Sequence, residues 1–311
     1  MQGTDVAKKN ISIIIVTFQN QETIDSCLSS IARRMTTDYE IVIVDNSPAP
    51  HTLNHIDGFR KTHPRIPLIV LSPGKNLGFA KGCNLGAENA GGRYLLFLNP
   101  DTVLENDVCR ILGSVLEADP GIGVAGPLIL DTAGRITKTC RNFPSVFNIF
   151  MDSMGLDRVL GIYRLLHFSH TYEKKVDQVI GACFFVSKKH FTALNGFDER
   201  FFVYFEEVDF CKRSIDLGYG VVFCPDARIQ HLAGVSCEDK TVASRMIGQL
   251  RKSRLLYFQK HFSYRHFFLM GLINRLEGIF KGVVFGVLSI FKPNRSYGEK
   301  AKGYLKVGLW G

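Results

Sequence analysis

Short apolar runs that each stop at a polar residue constrain the fold of this chain more than any other feature. Runs of this length bounded by turn-forming residues predict buried strands. They are residues 11–16, 41–44 and 94–98, followed respectively by Thr17, by Asp45 and by Asn99-Pro100-Asp101. Helical patterns separate the runs, which predicts right-handed βαβ units. We therefore expect an α/β protein with a mostly parallel, Rossmann-like central sheet flanked by helices.

The polar residues that follow these strands predict a ligand site. In open α/β sheets, ligands bind outside the carboxyl ends of the strands, so Thr17, Asp45 and Asp101 are expected near one another. A carboxylate at that edge can hold a divalent ion, because Mg²⁺ commonly takes one or two protein carboxylates and completes its shell with substrate phosphates and water. Alternatively, Asp101 only caps a helix whose first turn holds Glu105.

Composition and missing motifs exclude several classes of protein. With 311 residues, 46% of them hydrophobic, the chain can bury a large core. Its eight cysteines are scattered and form no C-x-x-C pair, which favours free thiols in a reducing compartment over a disulfide framework. The sequence lacks G-x-G-x-x-G after the first strand and G-x-x-x-x-G-K-[ST], which argues against dinucleotide oxidoreductases and P-loop NTPases. The polar start of the chain predicts no signal peptide.

The densest acidic cluster is Glu206, Glu207 and Asp209, which follows five large apolar residues at 201–205. Acidic side chains are common at helix starts, where they complement exposed N–H groups and the helix dipole. However, the apolar run should draw the cluster toward the protein body, and a partly buried carboxylate near a cleft is a candidate general base. The residues alone leave both interpretations open. Similarly, His231 is either a second metal ligand or a surface histidine.

Six segments of the chain, taken in order, resemble the family 2 inverting glycosyltransferases, and within that family the bacterial rhamnosyltransferases. The segments are residues 13–20 (IIIVTFQN), 43–47 (IVDNS), 76–80 (NLGFA), 96–102 (LFLNPDT), 181–183 (GAC) and 196–209 (GFDERFFVYFEEVD). The likeness implies a GT-A fold. It implies a glycosyltransferase domain over residues 1–244, with a nucleotide-binding half at about 1–102 and an acceptor-binding half at about 103–244.

The resemblance also implies roles in binding a nucleotide-sugar donor. Residues expected to hold the nucleoside base are Thr17, Phe18 and Asp45, and those expected near the ribose and diphosphate are Asn76 and Lys81. Asn99 and Asp101 stand where the family has its D-x-D-type motif, here with Asn at the first place. Asp101 is therefore the expected ligand of Mg²⁺ or Mn²⁺, and His231 falls where many members have a second metal or diphosphate contact.

The same resemblance implies a catalytic base and an acceptor pocket. The base usually comes from a Glu-Asp pair, and this chain has Glu206-Glu207 instead. Glu207 occupies the base position, and Asp209 is the second choice. Gly181 and Ala182 are expected in the acceptor pocket together with Arg141, since small residues in a strand often mark the close approach of a ligand.

The C-terminal region, residues 245–311, carries all of the excess positive charge. It holds 13 Lys and Arg against only Glu277 and Glu299, a local charge of +11, while the rest of the chain is near neutral. No apolar stretch in it approaches the roughly 20 residues of a spanning helix. On a helix, its small and polar residues share one face and apolar residues cover the rest. This pattern predicts a basic amphipathic helix lying on an anionic membrane surface.

Other interpretations of this region remain open. Gly278, Gly282 and Gly286 form a G-x-x-x-G-x-x-x-G row, which suits close helix packing in a homodimer or in a hairpin that dips into lipid. A core helix with a basic rim is a further alternative. Nucleic acid is disfavoured, because the many Phe and Leu residues would have no role in binding it.

The likeness to rhamnosyltransferases implies a substrate pair and a location. The enzyme is expected to transfer L-rhamnose from dTDP-L-rhamnose to a lipid-linked, polyprenyl diphosphate glycan acceptor for cell-surface polysaccharide synthesis. It would act on the cytoplasmic face of the cell membrane as a peripheral or monotopic protein. One alternative keeps this fold but uses a UDP- or GDP-sugar. Another is a non-catalytic membrane-bound scaffold, suggested by the Asn at the first metal position and the Glu-Glu pair.

Overall fold

A computed structural model describes residues 10–232, 240–291 and 295–310 of the chain. Within these residues the strands are β1 (Ile11–Thr17), β2 (Tyr39–Asp45), β3 (Leu68–Leu71), β4 (Tyr94–Leu98), β5 (Thr102–Leu104), β6 (Ile122–Leu130), β7 (Ile136–Thr137), β8 (Lys174–Lys175), β9 (Cys183–Ser187) and β10 (Gly220–His231). The helices are α1 (Ile24–Arg34), α2 (His51–Thr62), α3 (Phe79–Glu88), α4 (Val108–Ala118), α5 (Val146–Ser153), α6 (Asp157–Leu160), α7 (Lys188–Ala193), α8 (Glu206–Asp216), α9 (Lys240–His261), α10 (Tyr264–Phe291) and α11 (Arg295–Trp310).

One mixed sheet contains all these strands, in the order β3-β2-β1-β4-β9-β6-β10-β5, with β7 and β8 paired at its side. The first half is parallel, as the alternation of strands and helices predicts, and Ile13 of β1 lies level with Ile41 of β2 and Leu96 of β4. β9 then runs antiparallel to both β4 and β6. This register brings the carboxyl ends of β1, β2 and β4 to one edge of the sheet.

Apolar side chains cover both faces of the parallel half. Ile13 and Ile41 belong to a core cluster with residues of α1, α2 and α4, whereas Ile14 and Val42 belong to a second cluster with residues of α3, α7 and α8. A strand buried on both faces needs an apolar residue at nearly every position. This explains why the strands appear in the sequence as continuous apolar runs.

The helix cap after β4 is not the one considered from the sequence. The helix α4 begins at Val108, and its N-cap is Asp107, whose carboxylate accepts a hydrogen bond of 3.0 Å from the backbone N–H of Arg110. Asp101 instead lies in the tight connection between β4 and β5. The suggestion that Asp101 only caps a helix holding Glu105 is therefore wrong.

The cysteines agree with the expectation of free thiols. The seven in the described part of the chain are buried and unpaired. Burial raises their pKa values, for example that of Cys27 to about 12, so these thiols are protonated and unreactive at neutral pH. Cys237 lies outside the described residues.

The C-terminal helices pack on the rest of the protein through α9 and α10. Tyr257 and Phe258 of α9 are fully buried in a cluster with Phe201, Phe205 and Val208, which surround the start of α8. In the described segments, no helix combines the length and the apolar character that crossing a membrane requires.

The helix α10 turns its small and polar side inward. Asn274 and Glu277 are buried, and a Cβ atom added to Gly278 or Gly282 would lie within 2.7 Å of Gly308 or Leu305 of α11. Two glycines of the G-x-x-x-G row therefore serve close packing between α10 and α11 of the same chain. The apolar side of α10 faces outward.

Candidate active site

A cavity of about 430 Å³ opens beside the end of β4, the start of α8 and the end of β10. Seven residues singled out from the sequence line it: Asn99, Arg141, Gly181, Ala182, Glu206, Glu207 and His231. They come from segments that are widely separated in the chain, and the sheet order brings them together. The cavity is therefore the candidate active site.

Asp101 and His231 form a pair beside this cavity. The antiparallel pairing of β5 with β10 sets His231 opposite Thr102, and the Nε2 atom of His231 lies 3.2 Å from Oδ1 of Asp101. Both side chains are mostly buried, with 19% and 14% of their surface exposed. His231 itself lines the cavity, whereas Asp101 contacts His231 but is not a lining residue.

The residues of this pair suit a divalent cation whose shell is completed by substrate. Within the described ranges no three His, Cys, Asp or Glu side chains come together as a complete protein-made metal site. One carboxylate and one imidazole are nevertheless sufficient for Mg²⁺ or Mn²⁺, which commonly bind enzymes through one or two side chains and otherwise through phosphate and water. Asn99, at the first place of the motif, lies at the cavity wall.

The start of α8 is held in a strained conformation. Tyr204 and Phe205, immediately before Glu206, have φ angles of +69° and +72°. Bulky L-residues avoid this region, and each such residue costs on the order of 1–3 kcal/mol. Phe205 is buried against Tyr257 of α9, which stabilises the turn. The strain fixes the direction in which the Glu206-Glu207 pair leaves the backbone.

Glu207 presents a carboxylate with an unused oxygen. Its Oε2 atom is buried and accepts no hydrogen bond from any described group. Burial raises the pKa of Glu207, and hydrogen bonds from backbone N–H groups, including that of Gly181, together with the charge of Arg141, oppose the rise only in part. A Cβ atom at Gly181 would lie 3.5 Å from Cδ of Glu207, so the small residue lets the carboxylate lie close to the chain.

Glu206 is more deeply buried than Glu207, and its pKa is raised further. Only 4% of Glu206 is exposed, and its Oε2 atom also lacks a hydrogen-bond partner in the described structure. Burial and the neighbouring charge of Glu207 raise the pKa of Glu206 well above its ordinary value. Burial thus favours the protonated form of Glu206 more than that of Glu207, whose carboxylate also receives backbone hydrogen bonds and the charge of Arg141.

Asp209 lies outside the cavity and is fully buried elsewhere. Its Oδ2 atom accepts a hydrogen bond of 2.8 Å from Arg213, and its Oδ1 atom lies 2.7 Å from both Lys260 and His261 of α9. Burial alone would raise the pKa of Asp209, but the hydrogen bond from His261 and the charge of Arg213 lower it. The structure thus does not bring this second-choice base to the site, because three cationic or hydrogen-bonding partners anchor it between α8 and α9.

Thr17 and Asp45 meet at the ends of β1 and β2, as the parallel register requires. The Thr17 hydroxyl donates a hydrogen bond of 2.8 Å to Oδ1 of Asp45, and the N–H of Ser47 donates to the same oxygen at 3.1 Å. Both side chains are buried, whereas Phe18 is 46% exposed beside them. This group does not line the 430 Å³ cavity and forms a neighbouring part of the same sheet edge.

Asn46 connects the sheet edge that holds Thr17 and Asp45 with the loop that leads to the cavity. Sequence reasoning missed this role. Its Nδ2 atom donates to the carbonyl of Gly78 at 3.1 Å, and its Oδ1 atom accepts from the N–H of Leu77 at 3.3 Å. Phe79, which follows Gly78 in the chain, lines the cavity. Asn76 is exposed in this loop, and its side chain accepts a hydrogen bond of 2.9 Å from the N–H of Gly78.

Gly78 shows why this loop sequence needs a glycine. Its φ angle is +83°, and a Cβ atom would lie 2.4 Å from the carbonyl oxygen of Phe202. That oxygen accepts a hydrogen bond of 2.7 Å from the N–H of Phe79. The loop before α3 is thereby tied to the aromatic segment before α8.

Lys81, expected near the diphosphate, is paired with another residue. Its Nζ atom lies 2.8 Å from Oε2 of Glu199, and half of its side chain is exposed. It does not line the cavity. The structure therefore does not place this predicted donor contact among the residues that line the cavity.

The acceptor side of the cavity contains Arg141, which was predicted there from the sequence. It also contains several residues that sequence reasoning missed. Arg141 lies over the ring of Tyr163 at 5.5 Å and pairs with Gln178 in an isolated β-bridge. Further lining residues that were not predicted are Thr139, Tyr163, Gln178 and Leu250. They lie in irregular or C-terminal segments without a recognisable motif, so no sequence signal identified them.

Comparison with known proteins agrees with this architecture. Residues 12–162 match glycosyl transferase family 2. The chain is 26% identical over 243 residues to an N-acetylglucosaminyl-diphospho-decaprenol L-rhamnosyltransferase of Mycobacterium tuberculosis, and the match covers 71% of this chain and 75% of that protein.

Solved structures show the same fold at lower sequence identity. The mannosyltransferase PcManGT from Pyrobaculum calidifontis, in complex with GDP-Man and Mn²⁺, has a TM-score of 0.60 at 14% identity and covers 98% of this chain and 90% of its own. GalNAc-T7 with UDP, GalNAc and Mn²⁺ has a TM-score of 0.59 at 18% identity, covering 81% of this chain and 48% of that chain, so the present chain spans about half of its length. The chain contains a glycosyl transferase family 2 domain over residues 12–162 and has the GT-A fold.

Proposed function

We propose that this glycosyltransferase moves L-rhamnose from dTDP-L-rhamnose, with inversion, onto a glycan precursor carried by a polyprenyl diphosphate. The observation that carries the proposal is that Glu207, a carboxylate with an unused buried oxygen, and His231, the partner of Asp101, line one cavity. The decaprenol-linked rhamnosyltransferase of M. tuberculosis, 26% identical, supports the transfer of L-rhamnose and this acceptor class.

Asp45 is the residue proposed to recognise the nucleoside base. Thr17 and Ser47 both donate to its Oδ1 atom, which orients the carboxylate. The other oxygen, Oδ2, then accepts the ring N–H that thymine and uracil share. Phe18, nearly half exposed at the same edge, offers an aromatic surface for the base. This arrangement favours a pyrimidine donor without distinguishing dTDP from UDP.

Asp101 and His231 are the proposed ligands of Mg²⁺ or Mn²⁺, and Asn99 lies beside them. When bound, the cation neutralises the negative charge that develops on the departing nucleoside diphosphate. The burial of both side chains keeps water away from the pair and strengthens its interactions with charge.

Glu207 is the proposed general base. It accepts the proton of an acceptor hydroxyl on Oε2 while that hydroxyl oxygen bonds to the anomeric carbon of the sugar. The bond between this carbon and the diphosphate oxygen breaks on the opposite face, and the electron pair leaves with the diphosphate. This single displacement inverts the anomeric centre and needs no covalent sugar–enzyme intermediate. Glu206, held neutral by burial, leaves Glu207 as the ionised member of the pair.

We further propose that residues 245–311 hold the enzyme on the cytoplasmic face of an anionic membrane. The outward side of α10 supports this, because its large apolar residues are 40–78% exposed. Examples are Phe268, Leu276, Ile279, Phe280, Val283, Ile290 and Phe291. An apolar helix face that the protein leaves uncovered, together with a local charge of +11, fits a helix lying in the headgroup region of anionic lipid.

A transfer assay with purified protein tests the proposed function. The donors are dTDP-L-rhamnose, UDP-hexoses and GDP-mannose, and the acceptor is N-acetylglucosaminyl diphosphate on a short synthetic prenyl chain. We expect turnover with dTDP-L-rhamnose and an inverted anomeric centre in the product. Turnover confined to UDP- or GDP-sugars would reject the donor, and a product that retains the donor configuration would reject the mechanism.

A further inference from the structure

A second cavity, of about 370 Å³, lies between α9 and α10. Its walls are largely apolar and include Leu255, Phe267, Phe268 and Leu272. Phe268 and Leu272 are 64% and 47% exposed and belong to the outward apolar side of α10. The cavity therefore opens onto the surface proposed to face lipid.

A buried cluster beside this cavity carries more positive than negative charge. Arg251 and Arg254 are 3% and 7% exposed, and both approach the single carboxylate of Glu277, at 3.3 Å and 2.7 Å. Lys281 lies 2.6 Å from the other oxygen of Glu277. Three cations thus share one carboxylate, whose pKa they lower to about 2 against the opposing effect of burial.

Two members of this cluster have donors that no described group accepts. The Nη1 atom of Arg251 and the Nδ2 atom of Asn274 are buried without a hydrogen-bond partner, and the Nη2 atom of Arg251 has only its 3.3 Å ion pair with Glu277. Both residues line the cavity. Leaving a buried charged donor unsatisfied is costly. Such donors, next to an excess of positive charge, call for an anionic oxygen group. Lys252, exposed at the cavity wall, adds a further cation.

The helix α9 links this cavity to the active site. Leu250 lines the active-site cavity, while Gly248 and Arg251 line the cavity on the other side of the same helical turn. A ligand that placed its sugar in the first cavity and its lipid chain in the second would pass along α9. A bilayer phospholipid has no group that would use this connection.

We propose that the cavity between α9 and α10 binds the prenyl chain of the lipid-linked acceptor, with a phosphate oxygen of that acceptor at Arg251 and Lys252. The inference rests on the proposed function, since it assigns a binding site to the acceptor of that reaction. It predicts that the enzyme distinguishes acceptors by chain length and that this discrimination resides in the cavity.

Filling the cavity tests the proposal, and Gly271 allows this without disturbing the packing. Gly271 lines the cavity, and a Cβ atom there would meet no atom within 4 Å. The matched control is Gly286→Phe on the same helix, where a Cβ atom also meets nothing and the site is outside the cavity. Replacing a helical glycine also favours the helix, so both variants should fold.

The assay compares a long-chain with a short-chain prenyl diphosphate acceptor. We expect Gly271→Phe to raise the KM for the long-chain acceptor about tenfold or more, because losing two buried methylene groups already costs about one power of ten. The KM for the short-chain acceptor and both kcat values should stay unchanged, and Gly286→Phe should change neither KM. Equal effects on the two acceptors, or none on either, would overturn the proposal.

Two further measurements distinguish failure of this inference from failure of the proposed function. Lys252→Gln should weaken binding of prenyl phosphate severalfold, whereas Lys306→Gln, an exposed cation on α11, should not. Binding of prenyl phosphate to the full chain is measured without a donor, so it decides the inference even if no sugar transfer occurs and the proposed function fails. If Gly271→Phe weakens binding to plain phosphatidylglycerol vesicles as strongly as binding to prenyl phosphate, the occupant is a membrane phospholipid and the assignment is wrong.

Discussion

Nε2 of His231 lies 3.2 Å from Oδ1 of Asp101, although 130 residues separate them in the chain. The contact depends on the antiparallel pairing of β5 with β10 at the far edge of the sheet. The strand pattern singled out Asp101, but the sequence alone left His231 open as a second metal ligand or a surface histidine. Because His231 lines the cavity that also contains Glu207, this contact supports the assignment of the region as the active site.

The first prediction concerns metal use. Asp101→Ala should reduce transfer by a factor of at least about 100, and His231→Ala should raise the Mn²⁺ concentration needed for half-maximal activity by about 10- to 100-fold, because each removes one of two proposed protein ligands. Steady-state rates across a titration of Mn²⁺ after chelation measure both effects. His51→Ala, an exposed histidine on α2, is the control. Unchanged metal dependence in His231→Ala would contradict the assignment.

The second prediction separates the two glutamates. Glu207→Gln should lower kcat by about 10²- to 10⁴-fold, the usual contribution of a general base. Glu206→Gln should keep most of the activity, because burial holds Glu206 protonated and a neutral amide resembles that form. Both variants are compared in the same transfer assay, with circular dichroism to verify folding. A greater loss in Glu206→Gln than in Glu207→Gln would reverse the roles.

The third prediction follows from the raised pKa of Glu207. A base must be ionised to accept a proton, so kcat/KM should rise with pH through the pKa of Glu207. Since burial is the main cause that raises this pKa, the midpoint of the acidic limb should lie above the ordinary glutamate value of about 4.3. The residual activity of Glu207→Gln should lack this limb. A midpoint at or below the ordinary value would argue against a buried base.

The parallel half of the fold was predictable because its strands are continuous apolar runs buried on both faces. Thr17 and Asp45 end neighbouring strands of equal register, so their meeting followed from the strand pattern alone. The antiparallel strand β9 and the contact between β5 and β10 were not predictable in this way. They depend on pairings between residues that are far apart in sequence, which a local periodicity does not encode.

The acidic cluster illustrates a second limit of sequence reasoning. Glu207 and Asp209 are two residues apart and look equally suited to catalysis. In the structure they lie in different surroundings, since Asp209 is held by Lys260 and His261 from α9. The position of α9 decides which carboxylate remains available, and nothing in the sequence near residue 209 indicates that position.

The fourth prediction tests Asp209 as an anchor. Asp209→Asn should lower the free energy of unfolding at pH 7 by about 3 kcal/mol, because it leaves buried cations uncompensated. The lowered folded-state pKa of Asp209 means that its stabilisation is present above the unfolded value of about 4 and is lost as pH falls through the folded value. The difference in the free energy of unfolding between variant and wild type should therefore become smaller at acidic pH.

Denaturant unfolding at several pH values measures this effect. Asp57→Asn is the matched control, because Asp57 forms an exposed ion pair with Arg60 on a helix surface and should cost less than about 1 kcal/mol. A similar loss of stability in the two variants, or a difference that grows as the pH falls, would contradict the anchoring role.

The fifth prediction concerns the outward side of α10. Val283 and Ile290, on this side, are 56% and 75% exposed. Val283→Gln/Ile290→Gln should therefore fold normally but reduce sedimentation with anionic liposomes at least about tenfold, because two apolar side chains no longer enter the lipid.

Val159→Gln, at an apolar position that is 76% exposed outside the C-terminal helices, should leave sedimentation unchanged. Added salt should weaken the binding of wild type by screening the basic residues. Undiminished sedimentation of the double variant would show that α10 does not provide the membrane contact.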